Sequence, residues 1–80
     1  MIRIAKQTRL KPDEIIVKAV KFFGKEGEQL EEEERSPCCV SFEGSGGYAA
    51  ISVSEESKLR TVDVETREFE YQAKRFIQML

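Results

Sequence analysis

Four groups of residues in this chain of 80 are of types that could do chemistry: the adjacent Cys38 and Cys39, the stretch Gly44-Ser45-Gly46-Gly47, a scatter of carboxylates, and a row of lysines. Paired cysteines suggest a metal or redox site. Neighbours in an extended strand point to opposite faces, however, so the two sulfurs are not expected to share one ion. Their Cα atoms, about 3.8 Å apart, are also closer than an ordinary disulfide accepts. A structural zinc site wants four nitrogen or sulfur ligands, and the chain has no histidine. No metal and no cofactor are therefore expected. Cys38 reads as a small apolar filler of the core, and Cys39 as an exposed thiol with only Arg35 nearby in sequence to lower its pKa.

The glycine-rich stretch lacks the lysine and the following helix of a phosphate-cradling loop. Tyr48 and a β-type pattern come after it, so it reads as a hairpin turn recruiting glycine for positive φ. Glu43, Asp63 and Glu65 share one face of the expected sheet and could be imagined as an acid/base pair. Exposed carboxylates keep ordinary pKa values, whereas catalysis needs perturbed ones. With no histidine to serve as a base, the common serine and cysteine nucleophile arrangements are missing too. The expectation is that this is not an enzyme. Lys18, Lys21 and Lys25, with Arg9 and Lys11 close in sequence, could touch phosphates of nucleic acid or lipid, but a solvated helix face is the better reading and Glu31 to Glu34 would compete for them. Nucleic acid is thus an unfavoured partner.

The elements that must carry these residues follow from apolar periodicity. Ile2 and Ile4, continued by Lys6 and Thr8, alternate with Arg3, Ala5 and Gln7, which predicts an edge strand over 2–9. Pro12 suits a first helical position, with Asp13 and Glu14 where the helix dipole favours negative charge. Ile15, Ile16, Ala19, Val20 and Phe23 then form one stripe, and Gly24 offers a C-cap. Residues 25–37 lose periodicity and read as an exposed, mobile connection. Cys38, Val40 and Phe42 alternate with Cys39, Ser41 and Glu43. After the glycines, Ala49, Ile51 and Val53 alternate with Tyr48, Ala50 and Ser52, and beyond Glu55–Lys58 the pattern resumes at Val62 and Val64. Thr66 is the expected N-cap of a closing helix carrying Phe69, Ala73, Phe76, Ile77 and Leu80 on one face.

The predicted fold class is α+β: a two-layer sandwich in β-α-β-β-β-α order, with an antiparallel sheet and two helices on one of its faces. Residues 1–80 make one domain, since so short a chain has room for a single core. Hydrophobic residues are 40% of the chain and charged residues 35%, which favours folding over disorder. Net charge is −2, divided as +5 over residues 1–25 and −7 over the rest, a basic opening complementing an acidic remainder. No stretch approaches the ~18 apolar residues of a spanning helix, and no apolar segment follows Arg3 and Lys6. The expected setting is cytoplasmic, without membrane contact.

The sheet's outer face is the most informative surface. Cys39, Ser41, Tyr48, Ala50, Ser52 and Thr61 are small or neutral there, with Glu43, Asp63 and Glu65 at the margins, so a partner could lie flat on it around Tyr48. Phe22-Phe23-Gly24, Phe42-Glu43-Gly44 and Val62-Asp63-Val64-Glu65-Thr66-Arg67-Glu68 resemble segments of a family of small uncharacterised prokaryotic proteins, a resemblance that implies no activity. The order of elements is also similar to a shortened helix-grip arrangement, whose larger members hold apolar ligands between sheet and final helix. That similarity implies, as an alternative function, binding of an apolar small molecule under Phe69 and Phe76. The leading expectation is a non-catalytic interaction module binding a protein partner, with a homodimer as one form, through the outer sheet face or the edge strand over 2–9.

Overall fold

The computed structural model describes residues 1–44 and 46–80; Ser45, within the expected glycine turn, lies outside the described residues. The elements are β1 (Ile2–Thr8), α1 (Pro12–Phe23), β2 (Glu31–Arg35), β3 (Cys39–Gly44), β4 (Gly47–Glu56), β5 (Leu59–Arg67) and α2 (Glu70–Gln78). Among the described residues the strands form one antiparallel sheet in the order β1-β5-β4-β3-β2. The chain starts on one edge and α1 carries it across the inner face to the other edge. A meander then brings it back until β5 pairs with β1. The helices share the inner face: α1 packs on β3 and β4, α2 on β1 and β5. The predicted α+β sandwich is therefore what forms, with one strand more than the periodicity announced.

Inward-facing Val40, Phe42, Ile51, Val62 and Val64 meet Ile15, Ala19, Phe23 and Phe76 from the helices, all of them buried. Phe23 is central to this layer. Its ring centroid lies 5.6 Å from Phe42 and 5.4 Å from Phe76, and Phe22 adds a contact to Phe76 at 5.7 Å. Gly44 and Gly24 let chain segments close on this core. A methyl on Gly44 would run into Leu30 and Phe69, and one on Gly24 would run into the Val20 carbonyl. Lys6 occupies an inward position of β1 because its ammonium is used there: Nζ donates to the carbonyls of Ile77 (3.3 Å) and Leu80 (3.1 Å), serving the orphan acceptors at the end of α2.

Four expectations are corrected. The exposed connection over 25–37 contains the strand β2, whose five residues are all exposed. No apolar alternation announces it because no side chain of β2 enters the core; pairing with β3 alone makes it a strand, with a register shift between Glu32 and Glu34. Cys38 is exposed rather than core. Pro37 and Cys38 form the turn between β2 and β3, with Ser36 and Cys39 exchanging backbone hydrogen bonds at 2.8 and 3.4 Å, so the buried alternation begins at Val40. Because Cys38 has left the strand, its sulfur does not diverge from its neighbour's, and Cys38 and Cys39 are joined in a disulfide between Cα atoms 3.8 Å apart, so Cys39 is half-buried and bonded rather than the exposed thiol expected. That link closes no loop of the chain and so cross-links nothing distant. Finally, Thr66 does not cap α2. It lies within β5, fully buried, and its hydroxyl donates to the Tyr48 carbonyl at 2.6 Å. The chain leaves β5 through Glu68 at φ 78° and enters the helix at Glu70, where no side chain provides a cap.

Candidate functional site on the outer sheet face

With both helices on the inner face, the outer face of the sheet is left uncovered. Alternation along each strand decides what stands on it, and register decides which residues stand side by side. One row runs Arg3, Glu65, Ala50, Ser41, Glu34 from edge to edge. The row beside it runs Ala5, Asp63, Ser52, Cys39. On its other side Arg67, Tyr48, Glu43 and Glu31 follow one another. In the first two of these rows small side chains occupy β4 and β3, with charged ones on β5 and, in the first row, on both edge strands, and in the third Tyr48 stands on β4. The result is a shallow open trough of about 270 Å³, floored by Ala50, Ser41, Ser52 and Cys39 and rimmed by Arg3, Asp63 and Glu65 on one side and Glu34, Arg35 and Ser36 on the other.

Of the rim charges, Arg3, Asp63, Glu65 and Arg35 are held within the chain. Arg3 makes a two-pronged ion pair with Asp63, Nε to Oδ1 at 2.9 Å and Nη2 to Oδ2 at 3.4 Å, and this carboxylate raises the arginine's already high pKa. Tyr48 Oη lies 2.8 Å from Glu65 Oε2 and 3.0 Å from Met1 Sδ, with the carboxylate as the stronger acceptor for its one proton. That hydrogen bond is the largest cause of a raised phenol pKa, since ionisation would set two negative charges face to face. Arg67 lies 5.9 Å from the Tyr48 ring centroid, over its face. On β2, Arg35 grips Glu32 through two contacts, Nη2 to Oε1 at 2.6 Å and Nε to Oε2 at 2.8 Å, and lowers that carboxyl's pKa, whereas Glu33 is raised by the neighbouring charge of Glu43.

All six of the outer-face residues named from the sequence lie on this face, but they are not one cluster. Cys39, Ser41, Ala50 and Ser52 line the trough. Tyr48 stands in the next row, turned towards Glu65, and Thr61 lies beside Gln7 and Ser54 on the far side of the Ser52 row. Arg3, Glu34 and Arg35 were missed as members of the rim. Their side chains gave no signal, because only the strand order puts β1 and β2 at opposite edges of one face. The carboxylates once considered as an acid/base pair are separated in use: Asp63 serves Arg3, Glu65 serves Tyr48, and Glu43 lies against Glu33.

The lysine row spans two grooves. Lys18 and Lys21 border one with Phe22, Arg75 and Met79, and Lys21 together with Lys25, beyond the end of α1, borders another with Val20 and Leu30. Among the described residues no group of three or more acidic, cysteine or histidine side chains is gathered as a metal site, and no helix is long and apolar enough to cross a membrane. No protein-family model, curated protein or solved structure matches the chain.

Proposed function

We propose that this domain is a non-catalytic interaction module that associates with a second copy of itself through the outer face of its sheet. One observation carries the reading. The two helices cover the inner face only, and the uncovered face has small side chains at its centre and charges at its rim, the arrangement that lets two sheets approach to the usual spacing of about 10 Å. The two sheet edges are less suited to pairing. β2 presents a run of glutamates, a common means of keeping an edge from adding strands, and β1 bears Arg3 and Lys6. An apolar ligand under α2 is the weaker alternative, because the rings of Phe22, Phe23 and Phe76 already occupy that space.

Light scattering across a concentration series tests the proposal. The wild-type chain is expected to pass from one to two copies as concentration rises, and Ala50→Arg, which sets a long charged side chain at the centre of the trough, is expected to hold it as a monomer while leaving the thermal melt unchanged at dilutions where the wild type is itself monomeric. A wild-type chain that stays monomeric at the highest accessible concentration, or a dimer indifferent to Ala50→Arg, would overturn it.

A further inference from the structure

We infer that the two copies are related by a two-fold axis lying along β4, between the sheets and parallel to the strands, so that Arg3 of each copy faces Glu34 of the other and Arg67 faces Glu43. This rests on the reading of the outer face as a self-association surface, and adds to it the symmetry and the residues that set the register.

The argument is geometric. In the order β1-β5-β4-β3-β2 the middle strand is β4, with two strands on either side. A two-fold axis along β4 exchanges the two flanks: whatever stands on β1 comes to face β2 of the second copy, and whatever stands on β5 comes to face β3. Each lateral row is thereby laid over its own reverse. In the row Arg3, Glu65, Ala50, Ser41, Glu34, the outer positions match Arg3 with Glu34, the next match Glu65 with Ser41, and Ala50 meets Ala50. In the row centred on Ser52, Asp63 meets Cys39. In the row centred on Tyr48, Arg67 meets Glu43 and the two Tyr48 side chains flank the axis.

In these matches opposite charges meet in two rows and no like charges meet, although the face carries arginines and carboxylates in quantity. The arrangement comes from the sheet's own asymmetry, since Arg3 and Arg67 lie on the β1–β5 flank and Glu34 and Glu43 on the β3–β2 flank, while Asp63 and Glu65 of β5 come opposite the neutral Cys39 and Ser41. Self-complementarity of this kind is what an isologous interface requires. The carboxylates brought nearest the centre enter it already bonded, Asp63 to Arg3 and Glu65 to the Tyr48 hydroxyl, which limits the desolvation they would otherwise suffer. Long arginine and glutamate side chains at the rim span the gap between sheets, while alanine and serine at the centre keep that gap narrow.

Mixing two complementary variants tests the symmetry. In an Arg3→Glu homodimer both rim contacts become carboxylate against carboxylate, and in a Glu34→Arg homodimer both become arginine against arginine. In the mixed dimer every such contact is again of opposite sign. Each variant alone is expected to dimerise about tenfold more weakly than wild type, and an equimolar mixture to recover wild-type affinity within about threefold, read by sedimentation or light scattering. Arg3→Glu also loses the bond to Asp63 in its own chain, so Glu43→Arg mixed with Arg67→Glu provides a second pair on which the same recovery is expected. If neither mixture associates more tightly than its separate components while Ala50→Arg still abolishes the wild-type dimer, the face stands and the two-fold along β4 is wrong. A monomeric wild type overturns both.

Discussion

Tyr48 shows how one side chain's chemistry is decided by its neighbours on the pleat. Tyr48 pairs with Arg67 on β5 and Glu43 on β3, yet its hydroxyl reaches diagonally to Glu65. The bond favours the protonated phenol, so the native state holds this proton more tightly than the unfolded chain does. The sign of the linkage follows. The contribution to stability is complete below the ordinary tyrosine value near 10 and is lost as pH rises through the raised native value. In a Tyr71→Phe background, where Tyr48 is the remaining tyrosine, ultraviolet titration of tyrosinate should place its midpoint above 10, and adding Glu65→Gln should bring it down. A midpoint indifferent to Glu65 would show that the hydrogen bond does not govern this group. Thr66, on the same pair of strands, makes the opposite kind of contact: its fully buried hydroxyl closes on the Tyr48 carbonyl, a polar group kept in the core because its partner is there.

At the scale of an element, β2 is a strand made almost entirely of carboxylates. Its backbone is paired with β3 on one side, and its side chains stand in water, where Glu33 and Glu43 repel each other. This repulsion raises the Glu33 carboxyl, so its contribution to stability is full in acid, below the usual glutamate value near 4.3, and is lost as pH rises through the raised native value. Glu33→Gln should therefore raise the melting temperature at pH 7, and the gain should vanish when the melt is repeated in acid below that usual value. An equal gain at both pH values would point instead to a backbone effect at the register shift. Glu32 runs the other way. Its pairing with Arg35 stabilises above the ordinary glutamate range and fails as pH falls through its lowered value. One short strand thus contains one carboxylate that favours the fold at neutral pH and one that opposes it.

For the whole molecule, the rings of Phe22, Phe23, Phe42 and Phe76 tie the two helices to each other and to the sheet. A domain of this size nets roughly 3–5 kcal/mol from its core, and removing a fully buried phenylalanine ring costs about the same, 3–5 kcal/mol. Phe76→Ala takes out the ring that ties α2 to Phe22 and Phe23, and should leave most of the chain unfolded at room temperature, seen as collapse of amide dispersion in the NMR spectrum. Ser52→Ala, on the exposed face, should change stability by no more than about 0.5 kcal/mol. A folded Phe76→Ala variant would mean that the cohesion is spread more evenly than the packing indicates.

Much of this architecture was legible in the sequence wherever a side chain had to choose between core and water. The stripe of α1 and the alternation of β1, β3, β4 and β5 are written in apolar residues, because burial is what their spacing records. The same alternation named the neutral residues of the outer face as the complement of the buried set. What it could not contain was anything decided by backbone pairing or by strand order. β2 was illegible because no residue of it is buried. Cys38 was misplaced because the Pro37-Cys38 turn holds it out of the strand and the buried alternation begins only at Val40, and Thr66 was misread as a cap because a buried hydroxyl and a capping hydroxyl look alike until the acceptor is known. The rim of the candidate site belongs to the same class. Arg3 and Glu34 are far apart in sequence and become the two ends of one row only after the meander returns β5 to β1, since local periodicity reports how a residue faces the core and tertiary pairing alone determines which residues face one another.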